Sequence, residues 1–181
     1  IVELPVSNHD HSVNGLQFDN NGDLYICSGG NTNAGVRHCN IGDVQESPLS
    51  GAILKAELSK PGFNGQIVYL ERGTEFVNQD QVYGDIVELA PGIDVSVFAA
   101  GFRNTFDRVF TTQGRIYSTD NGPNGGFGGA STGADTEGPH PSAPDTLDLV
   151  EEGNYYGHPN RNRGFNDPRQ YIYRDNNEPS I

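Results

Sequence analysis

Two segments of the chain share one pattern: a strand-like run, a turn with glycine, a second strand-like run and a Gly/Asn-rich loop. They read LQFDNNGDLYICSGG and VFTTQGRIYSTDNGP, and their turn glycines, Gly22 and Gly114, lie 92 positions apart. Apolar runs on either side of a glycine-containing turn predict β-hairpins. Propeller blades recur about every 40–50 residues, so this spacing corresponds to two blades. Four-stranded blades separated by functional loops explain the repeat most simply.

The rest of the chain also consists of short strand-like runs, and no segment has convincing helical periodicity. Its 24 glycines and 11 prolines suit a chain of short strands and many turns. We therefore predict an all-β fold. Further predicted strands span Gly51–Leu58, Gln66–Glu71, Asp85–Ala90 and Val95–Ala100, with TLDLV at 146–150 and QYIYR at 170–174.

The number of strands predicts a partial β-propeller. About 11 strands make roughly three blades, which are too few for a closed ring, and an open ring exposes strand edges. Residues 1–181 are therefore predicted to be one segment of a larger propeller domain, incomplete at both ends. The remaining blades would come from another part of the chain or from another chain.

Charge and hydropathy exclude two classes of partner. The net charge of −13 disfavours nucleic acid and anionic membrane surfaces. No apolar run approaches the ~20 residues of a membrane span. The chain begins with Ile and contains no Met, which is typical of a processed chain or of a piece of a longer one.

The two cysteines, Cys27 and Cys39, leave two alternatives open. A disulfide between them would tie down the loop that separates them and would favour an extracellular compartment. Two free, buried thiols are the other alternative. We expect the disulfide.

Three polar loops carry the candidate chemistry. They are Asn8–Gly15 (NHDHSVNG), Ala99–Arg108 (AAGFRNTFDR) and the long Gly-rich stretch Ser118–Pro159. In a propeller, loops from the same end of successive blades converge on the central channel. Residues far apart in the sequence can therefore share one pocket.

Five motifs in register resemble the soluble quinoprotein glucose/sorbosone dehydrogenases. They are DHSVNGLQFDNNGDLYICSGG, SGAILKAEL, AGFRNTFDRVF, QGRIYSTDNGP and PDTLDLVEEGNYYGHP, which together cover most of the chain. The family consists of six-bladed propellers that bind pyrroloquinoline quinone (PQQ) and calcium. The resemblance implies a secreted protein, or a periplasmic one if the source is bacterial.

The resemblance implies roles for four residues near the cofactor. His11 matches the general base that takes the proton from the anomeric hydroxyl of a sugar while hydride passes to the quinone. Asp10 would orient that ring or bind substrate. Arg103 matches the arginine that contacts the quinone oxygens, and Asn104 matches a hydrogen-bonding contact to the cofactor. From the residues alone, His11 could also be a hydrogen-bonded loop residue, and Arg103 could bind loop carbonyls.

The resemblance also implies calcium ligands. Gly122 and Pro123 match positions whose backbone carbonyls hold the ion, and such oxygens are suitable ligands for calcium. Asp145 could bind calcium or equally cap a turn.

The chain departs from the family pattern at several positions. The Asp-Glu pair of the family appears as Asp145-Thr146, and His158 replaces a tryptophan. A Gly-rich insertion spans roughly Asn124 to Ala143. These departures leave open a binding or structural module on the same scaffold, such as the animal proteins of the hedgehog-interacting type. The expected partner is then an extracellular protein rather than a sugar. An assembly in which incomplete propellers close against neighbouring chains is a third possibility.

Overall fold

The structure, a computed structural model, is all-β. It describes residues 1–6, 11–33, 46–71, 74–75, 87–125 and 143–158, and none of these residues is helical. It therefore contains, within those ranges, no helix long and apolar enough to cross a membrane. The strands are β1 (Val13–Phe18), β2 (Leu24–Ser28), β3 (Ala52–Ala56), β4 (Tyr69–Glu71), β5 (Thr74–Glu75), β6 (Val87–Leu89), β7 (Val95–Ala100), β8 (Thr105–Phe110), β9 (Ile116–Asp120) and β10 (Thr146–Val150).

The strands form three antiparallel sheets. The first has the order β1-β2-β3-β7, the second β10-β9-β8 and the third β5-β4-β6. Consecutive strands are therefore neighbours in the first two sheets, except that β4 to β6 are inserted before β7. All the predicted strands within the described ranges are present, whereas the one predicted at 170–174 lies outside them.

Both predicted hairpins are confirmed, and their turns have the same hydrogen bonds. The Asp19 N–H donates to the Asp23 carbonyl at 3.0 Å, and the Thr111 N–H donates to the Arg115 carbonyl at 2.8 Å. The turn glycine has a positive φ in each case, 85° for Gly22 and 77° for Gly114. Glycine adopts this conformation without the steric cost that a Cβ imposes.

The 92-residue repeat extends from the turns to the whole hairpins. Val13 pairs with Ser28 in the first, and Thr105 pairs with Asp120 in the second, with an irregularity in register next to each pair. A third strand then pairs with the second strand of each hairpin. Ala52, the first residue of β3, pairs with Ser28, and Thr146, the first residue of β10, pairs with Asp120. His11 and Arg103 consequently occupy equivalent positions, two residues before the first strand of their hairpins.

The first two sheets pack face to face. Their shared core contains Tyr25, Ile53 and Ala99 from the first sheet, Ile116 and Val150 from the second, and Phe102 from the segment between them. The opposite face of the first sheet packs in a separate core with Ile67 and Tyr69. The first sheet is therefore the middle layer of three.

Arg108 of β8 connects the second sheet to the first hairpin. Its guanidinium donates hydrogen bonds to the carbonyls of Gly15 at 2.9 Å and Gln17 at 3.3 Å, and also to the carbonyl of Tyr25. Only 6% of Arg108 is exposed. Hydrogen bonds from a charged, buried donor are stronger than those between neutral groups, so Arg108 is a main link between the two sheets.

Cys27 has a free thiol, so the structure lacks the predicted disulfide to Cys39. The side chain of Cys27 is completely buried in β2, where its sulfur accepts hydrogen bonds from Arg108 at 2.9 Å and Thr105 at 3.8 Å. It therefore points between the sheets. Burial raises the pKa of this thiol, although the Arg108 cation and the Thr105 hydroxyl oppose that rise. Cys39 itself lies outside the described residues.

The outer face of the second sheet exposes apolar side chains. Val109, Leu147 and Leu149 are 52%, 71% and 43% exposed. Tyr117 pairs with both Val109 and Leu149, so these residues share one face. On β1, an edge strand of the first sheet, Leu16 and Phe18 are 60% and 59% exposed. Contiguous apolar surface of this kind marks a place where another element packs.

We expect Arg108→Met to destabilise the fold strongly, because one buried and two part-buried carbonyls lose a charged donor. The free energy of unfolding should fall by about 3 kcal/mol. Arg115→Met is the matched control, since Arg115 is exposed at a turn, and should change stability by less than about 0.5 kcal/mol. Urea unfolding measures both variants. Equal, small effects would show that Arg108 does not link the sheets.

Cys27 is expected to resist alkylation in the native protein, because its thiol is buried and its pKa is raised. Iodoacetamide should label Cys27 only after the protein is denatured. This labelling should not need a reducing agent. Peptide mass spectrometry identifies the labelled cysteine. Labelling that required prior reduction would show that the predicted disulfide forms after all.

Candidate functional site

The candidate site is built around the buried segment Gly29–Asn33, which follows β2. All five of its residues are buried, although none belongs to a strand. Buried backbone outside a sheet must obtain hydrogen bonds from other partners. The predicted site residues His11 and Arg103 supply two of those partners.

His11 binds the segment through one ring nitrogen. Its Nδ1 lies 2.7 Å from the Gly30 carbonyl oxygen, and only 1% of the residue is exposed. A carbonyl can only accept a hydrogen bond, so Nδ1 bears the proton. In the neutral imidazole the basic lone pair is then on Nε2.

Arg103 binds the same segment from the other repeat. Its carbonyl accepts the Gly30 N–H at 2.7 Å, so His11 and Arg103 hold the two polar backbone groups of one residue. The guanidinium donates from Nη2 to Asn33 Oδ1 at 2.8 Å and from Nε to the Asn33 carbonyl at 3.0 Å. Arg103 therefore does bind a loop carbonyl, the structural alternative considered from the sequence. It is 2% exposed.

Glycine is needed where the two repeats meet. A Cβ on Gly29 would lie 2.9 Å from the Cβ of His11 and 2.8 Å from Oδ1 of Asn104, so these two residues flank Gly29. A Cβ on Gly30 would lie 3.0 Å from the Arg103 carbonyl oxygen. The structure thus brings His11, Arg103 and Asn104 together around one buried segment, whereas the sequence predicts that they share a pocket.

Asp120, at the end of β9, fixes the turn that contains Arg103 and Asn104. Its two carboxylate oxygens accept the backbone N–H groups of Arg103 at 3.0 Å and Asn104 at 2.8 Å. The Asn104 side-chain oxygen accepts a hydrogen bond from Asn14 at 2.9 Å. Sequence reasoning did not identify Asp120 in this role, although its position after the YST strand is part of a quoted motif.

The residues predicted to hold calcium lie together and are hydrogen-bonded to neighbouring backbone. Asp145 Oδ1 accepts the Gly122 N–H at 2.9 Å, and the Pro123 carbonyl accepts the Ala143 N–H at 3.0 Å. Calcium takes about 6–8 oxygen ligands, and Asp145 is the single carboxylate among the three predicted residues. No group of three or more His, Cys, Asp or Glu residues that could hold a metal ion occurs within the described ranges. Asp145 thus accepts a hydrogen bond from a residue 23 positions away, which differs from the local turn cap considered from the sequence.

The residues predicted to hold PQQ fit that cofactor by chemical type. A guanidinium and an amide are suitable partners for carboxylates and quinone oxygens, and here they belong to the adjacent residues Arg103 and Asn104. Asp10, the fourth residue predicted at this site, lies outside the described residues, as does most of the Gly-rich insertion.

Glu46 and His158 complete the site, and sequence reasoning did not assign either a role. His158 Nε2 lies 2.6 Å from Glu46 Oε1. The carboxylate also accepts hydrogen bonds from the N–H groups of Asn31 and Thr32, both at 2.9 Å, and from the Ser50 hydroxyl at 2.7 Å. The replacement of the family's tryptophan by His158 was a signal that could have identified His158. Glu46 follows a polar stretch without a motif, so the sequence contains no comparable signal for it.

The environment of Glu46 stabilises its charged form. Burial acts to raise its pKa, but the His158 charge and the hydrogen bonds from His158, Ser50 and Thr32 outweigh burial and lower the pKa from 4.5 to about 2. Glu46 is therefore ionised at neutral pH and binds the segment as a carboxylate.

Two adjoining clefts lie at the opposite end of the sheets, beside the hairpin turns. Their volumes are about 530 and 390 Å³, and both are lined by Phe98, Gly114 and Ile116. None of the predicted site residues lines either cleft.

Comparison with known proteins finds no matching family model, no similar curated protein and no similar solved structure.

Glu46 should make the stability of the protein depend on pH in the acid range. Its folded-state pKa of about 2 lies below the ordinary value of 4.5, so its contribution is complete above about pH 4.5 and is lost as the pH falls towards 2. Relative to Glu46→Gln, the wild type should be more stable by up to about 3 kcal/mol near neutral pH, and this difference should shrink through that window. Urea unfolding of both proteins across the pH range measures it. A difference that does not change with pH would contradict the assignment.

Proposed function

We propose that the chain forms part of a six-bladed β-propeller of the glucose/sorbosone dehydrogenase type. The loops that contain His11 and Arg103 would form its active site. There an aldose or a related sugar would be oxidised by hydride transfer to PQQ, with His11 as the general base. The observation that carries this proposal is the meeting of His11, Arg103 and Asn104 around the Gly29–Asn33 segment. These are the residues to which the motif resemblance gives catalytic and cofactor-binding roles.

Two features support the propeller. The first is the repeated hairpin with its third strand, which forms two sheets of the same register, packed face to face. The second is the exposed apolar surface on both sides of this pair, Leu16 and Phe18 on one side and Leu147 and Leu149 on the other. Preceding and following blades would cover these surfaces. They would come from the rest of the protein or from another chain.

The tautomer of His11 supports its role as the base. The Gly30 carbonyl fixes the proton on Nδ1, so Nε2 can accept a proton from the anomeric hydroxyl as hydride leaves the same carbon. A general base of this kind contributes roughly 10²- to 10⁴-fold to a rate.

Arg103 and Asn104 are the residues proposed to hold the cofactor. Bound PQQ would supply the two-electron acceptor for the hydride. The fixed positive charge of Arg103 lies in a buried, preorganised position, where it can stabilise developing negative charge. No step is assigned to calcium, because the Asp145 carboxylate and the Pro123 carbonyl accept hydrogen bonds from Gly122 and Ala143.

A non-catalytic binding or structural module is the second candidate. It is favoured by the burial of His11 and Arg103, which are 1% and 2% exposed and which both hold backbone of the same segment. These contacts would stabilise a propeller whose partner, an extracellular protein, binds elsewhere. The proposed extracellular location rests on the motif resemblance, since Cys27 is a free thiol.

Dye reduction by the full-length protein, with PQQ and calcium added and a panel of aldoses, tests the first candidate. We expect turnover that falls at least about 100-fold in His11→Gln. Arg115→Gln, an exposed turn variant, is the control and should retain wild-type turnover. Absence of both PQQ binding and turnover would exclude the dehydrogenase and favour the binding module.

A further inference from the structure

The Gly29–Asn33 segment is held from two sides. Gly30 and Asn33 contact His11 and Arg103, whereas the N–H groups of the two residues between them, Asn31 and Thr32, donate to Glu46. The candidate site and the Glu46 carboxylate therefore share a single stretch of backbone.

One peptide unit connects Glu46 directly to His11. The Gly30 carbonyl accepts from His11 Nδ1 at 2.7 Å, and the Asn31 N–H, on the same peptide bond, donates to Glu46 Oε2 at 2.9 Å. A peptide group is planar and rigid, so the direction of the N–H determines the direction of the carbonyl. A carboxylate that accepts from the N–H also polarises the group, which strengthens its carbonyl as an acceptor.

We propose that Glu46 is a positioning residue for His11 and acts through the Gly30–Asn31 peptide. It fixes the peptide plane, and the Gly30 carbonyl in turn keeps the His11 proton on Nδ1 and the basic lone pair on Nε2. This inference rests on the proposed role of His11 as the general base.

His158 anchors this arrangement. It arrives from the segment after β10, where its own N–H donates to the Gly101 carbonyl at 2.7 Å, and its ring holds Glu46 at 2.6 Å. A Cβ on Gly30 would lie only 2.5 Å from His158 Nε2, so the ring also packs directly against the Gly30–Asn31 peptide. The pair therefore restrains both the carboxylate and the peptide that it binds.

Glu46→Gln tests the proposal, because it retains the shape and one acceptor oxygen but removes the negative charge. The readout is the ring ¹⁵N chemical shifts of His11 in the full-length protein, together with the hydrogen-exchange rate of its Nδ1 proton. We expect the wild type to show the Nδ1–H tautomer alone. The variant should show a mixture of tautomers and an exchange rate at least about tenfold higher.

Glu57→Gln is the matched control, since Glu57 is a 60% exposed carboxylate beyond the other end of β3, and it should leave the His11 signals unchanged. His158→Gln is the second variant, for use if Glu46→Gln does not fold. It keeps the carboxylate but removes the imidazole that holds it, and it should also raise the exchange rate. In whichever variant is folded by circular dichroism, His11 signals identical to those of the wild type would overturn the proposal.

The activity of the same variants separates this inference from the proposed function. If the wild type oxidises sugars, Glu46→Gln should lower kcat by about tenfold or more with little change in KM, because the base loses its preferred tautomer while substrate contacts remain. If the wild type has no activity but the His11 signals change as expected, the positioning role stands and the dehydrogenase fails.

Discussion

The Gly29–Asn33 segment runs through the interior of the protein without a strand partner, and this imposes the main constraint on the structure. Its backbone N–H and carbonyl groups are buried, and burying such groups without hydrogen bonds costs about 1–3 kcal/mol each. The segment obtains its hydrogen bonds from the His11 ring, from the carbonyl and guanidinium of Arg103, and from the Glu46 carboxylate. The residues with the most interesting chemistry are therefore also the residues that keep this end of the fold together.

Because the same residues carry the proposed catalytic role and a structural role, the two roles are hard to separate. His11 and Arg103 come from equivalent positions of the two hairpins and meet at Gly30 because the sheets pack face to face. Arg108 maintains that packing from the middle of β8, since its guanidinium binds carbonyls of β1 and β2. A side chain that links the sheets thus also determines how close the two loops approach each other.

The hairpins were the most predictable part of the fold. Their turn glycines and alternating apolar residues are local signals, and local signals are what a sequence shows directly. The 92-residue repeat predicted that the two hairpins would be alike, and it extends to the same register in both. The motifs before the first strand of each hairpin also predicted that His11, Arg103 and Asn104 lie near one another, but as the lining of a pocket and not around a buried backbone segment.

The remaining contacts could not be derived from the sequence, because they depend on which loops become neighbours. The disulfide between Cys27 and Cys39 stays a prediction, but the structure shows Cys27 as a free thiol that points between the sheets towards Arg108, a direction that the spacing to Cys39 does not reveal. Glu46 lies in a polar stretch without a pattern, and its partner His158 is 112 residues away. The sequence suggests a metal ligand or a turn cap for Asp145, and neither suggestion reveals the hydrogen bond that it accepts from Gly122, 23 positions away.

The sequence by itself determined the all-β class, the positions of the strands and turns, and the residue types at the candidate site, because strand periodicity and turn chemistry act over a few neighbouring residues. The tertiary structure decided which hydrogen-bond donors pair with which acceptors. That outcome depends on the packing of the two sheets, which places the carboxylate of Glu46 and the ring of His11 on the two sides of a single peptide bond.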